Sequence, residues 1–366
     1  MASAKQLKAV KPQPGRPLYA SVKEALMEAI EAGVFVPGEQ MPSTKELSEQ
    51  LDVSLVTAHR ALQELVVAGV LERSQGRGTF VHHRYLQRKN VIAGSRVGLV
   101  FHREASLADF YQGQILEGIH RAANRLGIDL IILRFGEDVK NECNGYLLIN
   151  PFPEEVEVFA MQLKRQPLLV VGAQSGDENL PAFDLDNQRL AKMAVEYLAG
   201  LGHKKVGFVG GAFKLSGTRE RWAGFQEACR TLNLQSPDNA RLRGAGWKLS
   251  EQEWAELLAL LKSGDRPTAI FASGYTFALD VYAAVAAAGL RVPQDLSIVG
   301  VDDPPSAEHL IPPLTTLRQP LLQLGEEAAA ALFDRMCEPS GARVTLTTRI
   351  FAPELVLRKS AAAVSA

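Results

Sequence analysis

The chain has 366 residues, 46% hydrophobic and 22% charged, so it has the composition of a folded chain of two or three domains and not of a disordered one. Three scattered cysteines, Cys143, Cys229 and Cys337, give neither a disulfide framework nor a metal-ligand spacing, and no run of residues approaches the ~18 apolar positions of a membrane span or forms an export signal, so a cytoplasmic setting is expected. The net charge of −1 is unevenly spread: residues 1–90 hold 12 Lys+Arg against 9 Asp+Glu, and the rest hold 28 against 32, a slightly basic head on a slightly acidic body.

In chain order, residues 1–17 read as a flexible tail. Val22, Ala25, Leu26, Ala29 and Ile30 then fall at helical steps, and Gly33 and Pro37-Gly38 stop that helix. Ser43, with Glu46 three residues on, reads as a capping box for a short helix carrying Leu47 and Leu51. Ser54 opens a third helix whose buried stripe is Ala58, Ala61, Leu62, Leu65 and Val66. Val70-Leu71 and Thr79-Phe80-Val81 read as two short strands around a Gly76-Arg77-Gly78 turn. Three helices and a hairpin in residues 18–82 make a winged helix-turn-helix, and residues 83–96 read as a polar linker.

Beyond the linker, apolar strand candidates (97–101, 129–133, 145–149, 168–172, 206–210, 269–272 and 298–301) alternate with amphipathic helical patterns at 113–126, 187–201, 221–232, 251–261, 277–288 and 323–336. That alternation predicts an α/β architecture of parallel sheets covered on both faces, in two lobes over residues 97–358, followed by a C-terminal tail at 359–366.

The recognition helix of a helix-turn-helix meets base edges near its N-terminus. Here that end offers Ser54, Leu55, Thr57, His59 and Arg60. Ser43 and Lys45 at the preceding helix start suit phosphates, and the wing tip Gln75, Gly76 and Arg77 suits the minor groove. The segment from Tyr19 to Val81 resembles the gluconate-repressor (GntR) type of winged helix. The matching residues include Gly33-x-Phe35-x-Pro37-Gly38, Met41-Pro42-Ser43, Leu47-Ser48, Val53-Ser54, Thr57-Ala58, Gly69-Val70-Leu71 and Gly76-x-Gly78-Thr79-Phe80-Val81. The resemblance implies binding to a double-stranded DNA operator. Lys45, Leu55 and His59 stand where that family commonly has Arg, so its target sequence is not carried over.

In the body, ligands of doubly wound sheets lie beyond the C-terminal strand ends. The loops there offer Asn150, Arg221 and Asp302 as polar groups, and Phe110, Tyr111, Trp222 and Tyr275 as aromatic plates suited to a sugar. This region resembles the effector domain of the lactose/galactose-repressor family, which is similar to periplasmic sugar-binding proteins. The resemblance rests on Asp186-Asn187, Leu201-Gly202-His203, Arg221-Trp222-Ala223-Gly224-Phe225, Gly300-Val301-Asp302-Asp303 and Pro313-Leu314-Thr315-Thr316. It implies ligand contact at Arg221 and Asp302. Gly274-Tyr275 replaces the Asn-Asp pair usual in that family, and the head-plus-body combination resembles the arabinose-repressor arrangement.

These readings predict a transcriptional regulator, a repressor acting as a homodimer, controlled by a small-molecule effector of the carbohydrate class, with no cofactor, no metal, no catalytic residue and no membrane partner. The alternative is a winged-helix head fused to an enzymatic α/β domain. The sequence lacks the Gly-x-Ser-x-Gly, His-Glu-x-x-His and phosphate-loop signatures that such a body would carry.

Overall fold

The computed structural model describes residues 7, 17–74, 76–82, 85, 94–136, 143–163, 166–177, 180–244, 246–337 and 348–364. The expected tail at 1–17 and linker at 83–96 lie largely outside the described residues. The chain falls into two compact units.

The N-terminal unit contains α1 (Leu18–Glu31), α2 (Thr44–Leu51), α3 (Leu55–Val67), β1 (Leu71–Ser74) and β2 (Gly78–Val81). Local chemistry defines the starts of α2 and α3. Glu46 N donates to Ser43 Oγ at 3.2 Å while Ser43 N donates to Glu46 Oε2 at 2.7 Å, and Thr57 N donates to Ser54 Oγ at 3.1 Å. Gly69, at φ +67, turns the chain out of α3 in the left-handed conformation that glycine adopts without strain. One core unites the three helices and the hairpin: Leu26, Ile30, Leu47, Leu51, Leu62, Leu65, Leu71 and Val81 are all buried. β1 and β2 pair antiparallel with Leu71 opposite Val81, and the segment 38–41 adds to the outer edge of β2 through a Gln40–Phe80 bridge.

The second unit holds two six-stranded sheets. The first is built from β3 (Arg96–Phe101), β4 (Asp129–Arg134), β5 (Gly145–Ile149), β6 (Leu168–Val171), β7 (Ala182–Leu185) and, from far along the chain, β13 (Arg349–Phe351), in the order β13-β7-β6-β5-β3-β4. Its helices include α4 (Phe110–Leu126) and α5 (Pro153–Gln162). The second sheet has the order β14-β12-β11-β10-β8-β9, from β8 (Val206–Gly210), β9 (Arg241–Arg243), β10 (Ala269–Ala272), β11 (Ser297–Val301), β12 (Thr315–Arg318) and β14 (Glu354–Val356). Here α6 (Asn187–Gly200) and α7 (Ser216–Thr231) cover one face and α8 (Glu251–Lys262) and α9 (Tyr275–Ala287) the other. Alternation along the strands feeds both cores: Val206, Phe208, Ala269 and Phe271 face α6 and α7, while Val209, Ile270 and Ala272 face α8 and α9. In the second sheet β14 runs antiparallel to β12, while the other pairings given for that sheet are parallel.

The chain passes between the lobes three times: from β7 into α6, from β12 into α10 (Leu321–Met336), and from β13 to β14. α10 returns to the first lobe and packs closely on α4. A Cβ on Gly118 would lie 2.2 Å from Leu322 O, and one on Gly325 2.3 Å from Ile115 O, so only glycine permits that approach.

The seven strands anticipated from the sequence are present within a residue or two. The short strands β7, β9, β12, β13 and β14, and helix α5, were not anticipated. The C-terminal tail reading fails for residues 359–364. Ser360 is fully buried, accepting from Thr315 N at 2.7 Å and donating to Ile298 O at 2.6 Å, and His203 Nε2 meets Ala362 O at 3.2 Å. The small side chains that looked like a tail are the ones that fit against the edge of the second lobe. No helix among the described residues is long and apolar enough to cross a membrane.

Candidate functional site

Two surfaces collect the candidate residues. On the N-terminal unit, the start of α3 presents Leu55 at 54% and Val56 at 77% exposure, with His59 and Arg60 exposed one turn on. The hydroxyls of Ser54 and Thr57 lie 2.8 Å apart and are engaged in the α3 cap. Arg60 is drawn toward α1: its guanidinium sits 3.8 Å above the Tyr19 ring, and its Nε lies 3.9 Å from Glu64. Lys45 is exposed in the first turn of α2, where Ser43 holds the Glu46 carboxyl below its usual range, first through its backbone N–H and then through its hydroxyl. At the wing, Gly76 and Arg77 are exposed, and Gln75 lies outside the described residues. Arg73 on β1 was not anticipated. Its Nη2 reaches His59 Nε2 at 3.3 Å, so a wing strand brings a guanidinium to the outer face of α3.

The second surface is a cleft of about 260 Å3 between the two lobes. The first lobe supplies Tyr111 and Gln112 from α4 and Asn150 after β5. The second supplies Arg221 from α7, Ser273 and Tyr275 after β10, and Asp302 after β11. All of the loops involved leave the C-terminal ends of parallel strands. Arg221 spans three elements: Nε donates to Asn187 Oδ1 at 2.8 Å, Nη1 to Ser273 O at 3.1 Å and Nη2 to Gln319 Oε1 at 3.2 Å. Asp302 accepts from Gln319 Nε2 at 2.5 Å and from Tyr275 N at 3.3 Å.

Residues 18–81 match the bacterial regulatory proteins of the gntR family, and residues 195–361 match the periplasmic binding protein-like domain. Over 94% of its length the chain is 25% identical to the arabinose metabolism transcriptional repressor of Geobacillus stearothermophilus, covering 97% of that protein. It is 31% identical to the ribose operon repressor of Haemophilus influenzae over 68% of this chain and 76% of the relative. The chain belongs to the LacI-type transcriptional regulators and carries a gntR-family head. A LacI transcriptional regulator from a Rhodococcus species shares the fold with a TM-score of 0.61 at 27% identity, over 74% of this chain and 100% of that one.

Within this LacI-type body, the cleft brings together Tyr111, Asn150, Arg221, Tyr275 and Asp302. Phe110, one position before Tyr111 on α4, does not line it. Trp222, adjacent to Arg221, joins the core instead, stacked on Phe225 at 5.6 Å with Arg243 5.1 Å from its ring. Neighbours on a helix point about 100° apart, and the packing of α4 and α7 turns Phe110 and Trp222 away while Tyr111, Gln112 and Arg221 face the cleft. Gln112 and Gln319 join the site without having been anticipated, whereas Asn187 belongs to the Asp186-Asn187 motif and Ser273 to the strand-end loop before Tyr275. Gln319 carries no local motif, and both it and Asn187 matter because each sits where the chain crosses between lobes. Tyr275 keeps its ring in place with a 2.7 Å hydrogen bond to Ser306 Oγ. Asp303, next to Asp302, turns away from the cleft and pairs with Arg318 and Arg358 at 2.7 Å each.

The electrostatics of this site come from burial. Burial raises the Asp302 pKa, opposed by the Arg221 charge and the Tyr275 N–H. Asp184 on β7 is pushed up to about 7 by burial, against the hydrogen bond from Leu185 N, and its Oδ2 has no partner among the described residues. Asn150 and Asp302, at φ +48 and +71, hold the left-handed backbone conformation at the mouths of their strands, a concentration of strain common where side chains must be aimed at a ligand.

Proposed function

We propose that this regulator is a homodimeric repressor. In this reading its head, residues 18–82, holds operator DNA with the α3 face and the wing, and its body, residues 97–358, binds a carbohydrate effector between the lobes. The observation that carries the reading is the Arg221–Gln319–Asp302 chain in the cleft. A fixed guanidinium and a carboxylate flanked by Tyr111 and Tyr275 can bracket the hydroxyls and the apolar face of a sugar. On the DNA side, Leu55 and Val56 suit thymine methyls, Ser43, Lys45, Ser54 and Thr57 line the phosphate-facing helix starts, and His59, Arg60, Arg73, Gly76 and Arg77 form the rest of the surface, with Gln75 at the wing tip.

The coupling follows from Asn187 and Gln319. Both hold Arg221, one lies at the β7–α6 crossing and the other at the β12–α10 crossing, so an effector that pulls on Arg221 and Asp302 acts on two of the three interlobe connections. A change in lobe angle then alters the spacing of two heads on half-sites a whole number of turns apart.

The test starts from an operator selected by the protein out of random duplexes. Fluorescence anisotropy on that operator is measured with and without L-arabinose, D-ribose and D-glucose, together with sedimentation velocity. A dimer that binds the selected duplex and changes affinity with one sugar supports the reading. A monomer at micromolar concentration, or affinity indifferent to every sugar, counts against the dimer or the carbohydrate assignment respectively.

A further inference from the structure

The effector cleft has a charge pattern that its polar chain alone does not require. Its lining carries three carboxylates, Glu104 and Asp109 from the first lobe and Asp302 from the second, against a single cation, Arg221. Three of the five N–H donors of Arg221 are engaged within the protein, which leaves one on each of Nη1 and Nη2 for a ligand. Nearby cations are committed elsewhere. Arg103 donates to Phe135 O and Gly136 O, Arg219 donates to Phe213 O and Lys214 O, and the Lys214 ammonium lies 5.6 Å from the centre of the Phe152 ring. The first N–H of α9, a natural anion donor, is taken by Asp302.

Two further groups define what is missing. Gln112 and Ser273 line the cleft at 4% and 5% exposure, and the side-chain oxygens Gln112 Oε1 and Ser273 Oγ are buried without a hydrogen-bond partner among the described residues. A buried polar oxygen without a partner is costly and calls for a complementary group. Added to the carboxylates, they give the cleft several side-chain oxygens that can accept hydrogen bonds from a ligand.

We infer that the effector is an uncharged, unphosphorylated molecule rich in hydrogen-bond donors, and that Glu104 and Asp109 act as selectivity residues that repel phosphate esters of the same compound. The inference rests on the cleft being the effector site. A phosphate monoester would bring close to two negative charges into a site with a net excess of carboxylate and, among the described lining residues, Arg221 as the single cation.

The experiment uses isothermal calorimetry and thermal unfolding on the full chain with three matched pairs, each at millimolar concentration: D-ribose and its 5-phosphate, D-glucose and its 6-phosphate, adenosine and its 5′-phosphate. In any pair that binds, the unphosphorylated member is expected to bind at least about tenfold more tightly. In the double variant Glu104→Gln with Asp109→Asn, that ratio should shrink; the amide oxygen introduced by Asp109→Asn can still accept from Tyr111 N, as the Asp109 carboxylate does at 3.0 Å. A phosphate ester that binds as tightly as its parent overturns the inference and leaves the effector cleft standing. Binding by adenosine alone, with its phosphate rejected, overturns the carbohydrate assignment and leaves this inference standing. A ratio unchanged in the double variant shows a steric cause and overturns the role of Glu104 and Asp109. No response to any of the six compounds overturns both.

Discussion

Arg221→Lys separates the charge of the cleft cation from its geometry. Lysine keeps the positive charge, but its donors sit on one nitrogen. The acceptors that Arg221 joins, Asn187 Oδ1, Ser273 O and Gln319 Oε1, belong to three different elements. One nitrogen can keep one of them, so two charge-assisted hydrogen bonds are lost, each worth roughly 1.5–3 kcal/mol. Arg221 is only partly buried, and water replaces part of that, leaving a net loss of about 2–4 kcal/mol. For a unit of this size that lowers the melting temperature by about 4–8 °C. Calorimetric unfolding in effector-free buffer measures it. Adding Gln319→Ala to Arg221→Lys should cost less than the two single losses combined, by on the order of 1 kcal/mol, because the pair acts as one unit with Asp302. A melting temperature within about 1 °C of the parent, or strict additivity, would show that the three-way tie is absent in solution, and the coupling argument would fall with it.

Arg73→Ala is expected to weaken binding to the selected operator by about 1–3 kcal/mol if the guanidinium reads a guanine edge, or to lower the salt slope of binding by about one if it meets a phosphate; Arg73→Lys rescues only the second. Equal affinity and slope for all three proteins would remove Arg73 from the interface. Asp184→Asn tests the buried carboxyl. Because its folded pKa is raised to about 7 from 3.8, the folded state holds the extra proton between those values, so the carboxyl's contribution to stability is full below about pH 4 and lost as pH rises to about 7. The melting temperature of the variant relative to the parent should therefore climb between pH 5 and 8, and a constant difference would place Asp184 in a wetter site than its burial implies. Ser360→Ala strands a buried N–H of Thr315 and a carbonyl of Ile298, costing about 2–4 kcal/mol. Denaturant unfolding that moves by less than about 0.5 kcal/mol would return the C-terminal segment to the status of a tail.

What the sequence by itself determined is what short-range chemistry controls. The caps at Ser43 and Ser54, the stop at Gly69 and the apolar runs of β3, β5, β8, β10 and β11 depend on residues within a few positions of one another, and they are legible without a fold. Arg221 and Asp302 were also legible, through the motifs around them. Only the tertiary structure decided what converges on them. Asn187, Ser273 and Gln319 are separated by 34, 52 and 98 positions from Arg221, and they meet because the interlobe crossings bring the C-terminal strand ends of two sheets around one cleft. The choice of Tyr111 over Phe110, and the loss of Trp222 to the core, followed from a rotation of about 100° per helical residue whose zero only packing sets. Arg73 reached His59 through the pairing of β1 with β2 and the packing of that hairpin on α3, and the alanine-rich end of the chain became structure because Ser360 found a buried N–H and a carbonyl on two strands that lie distant from it in sequence.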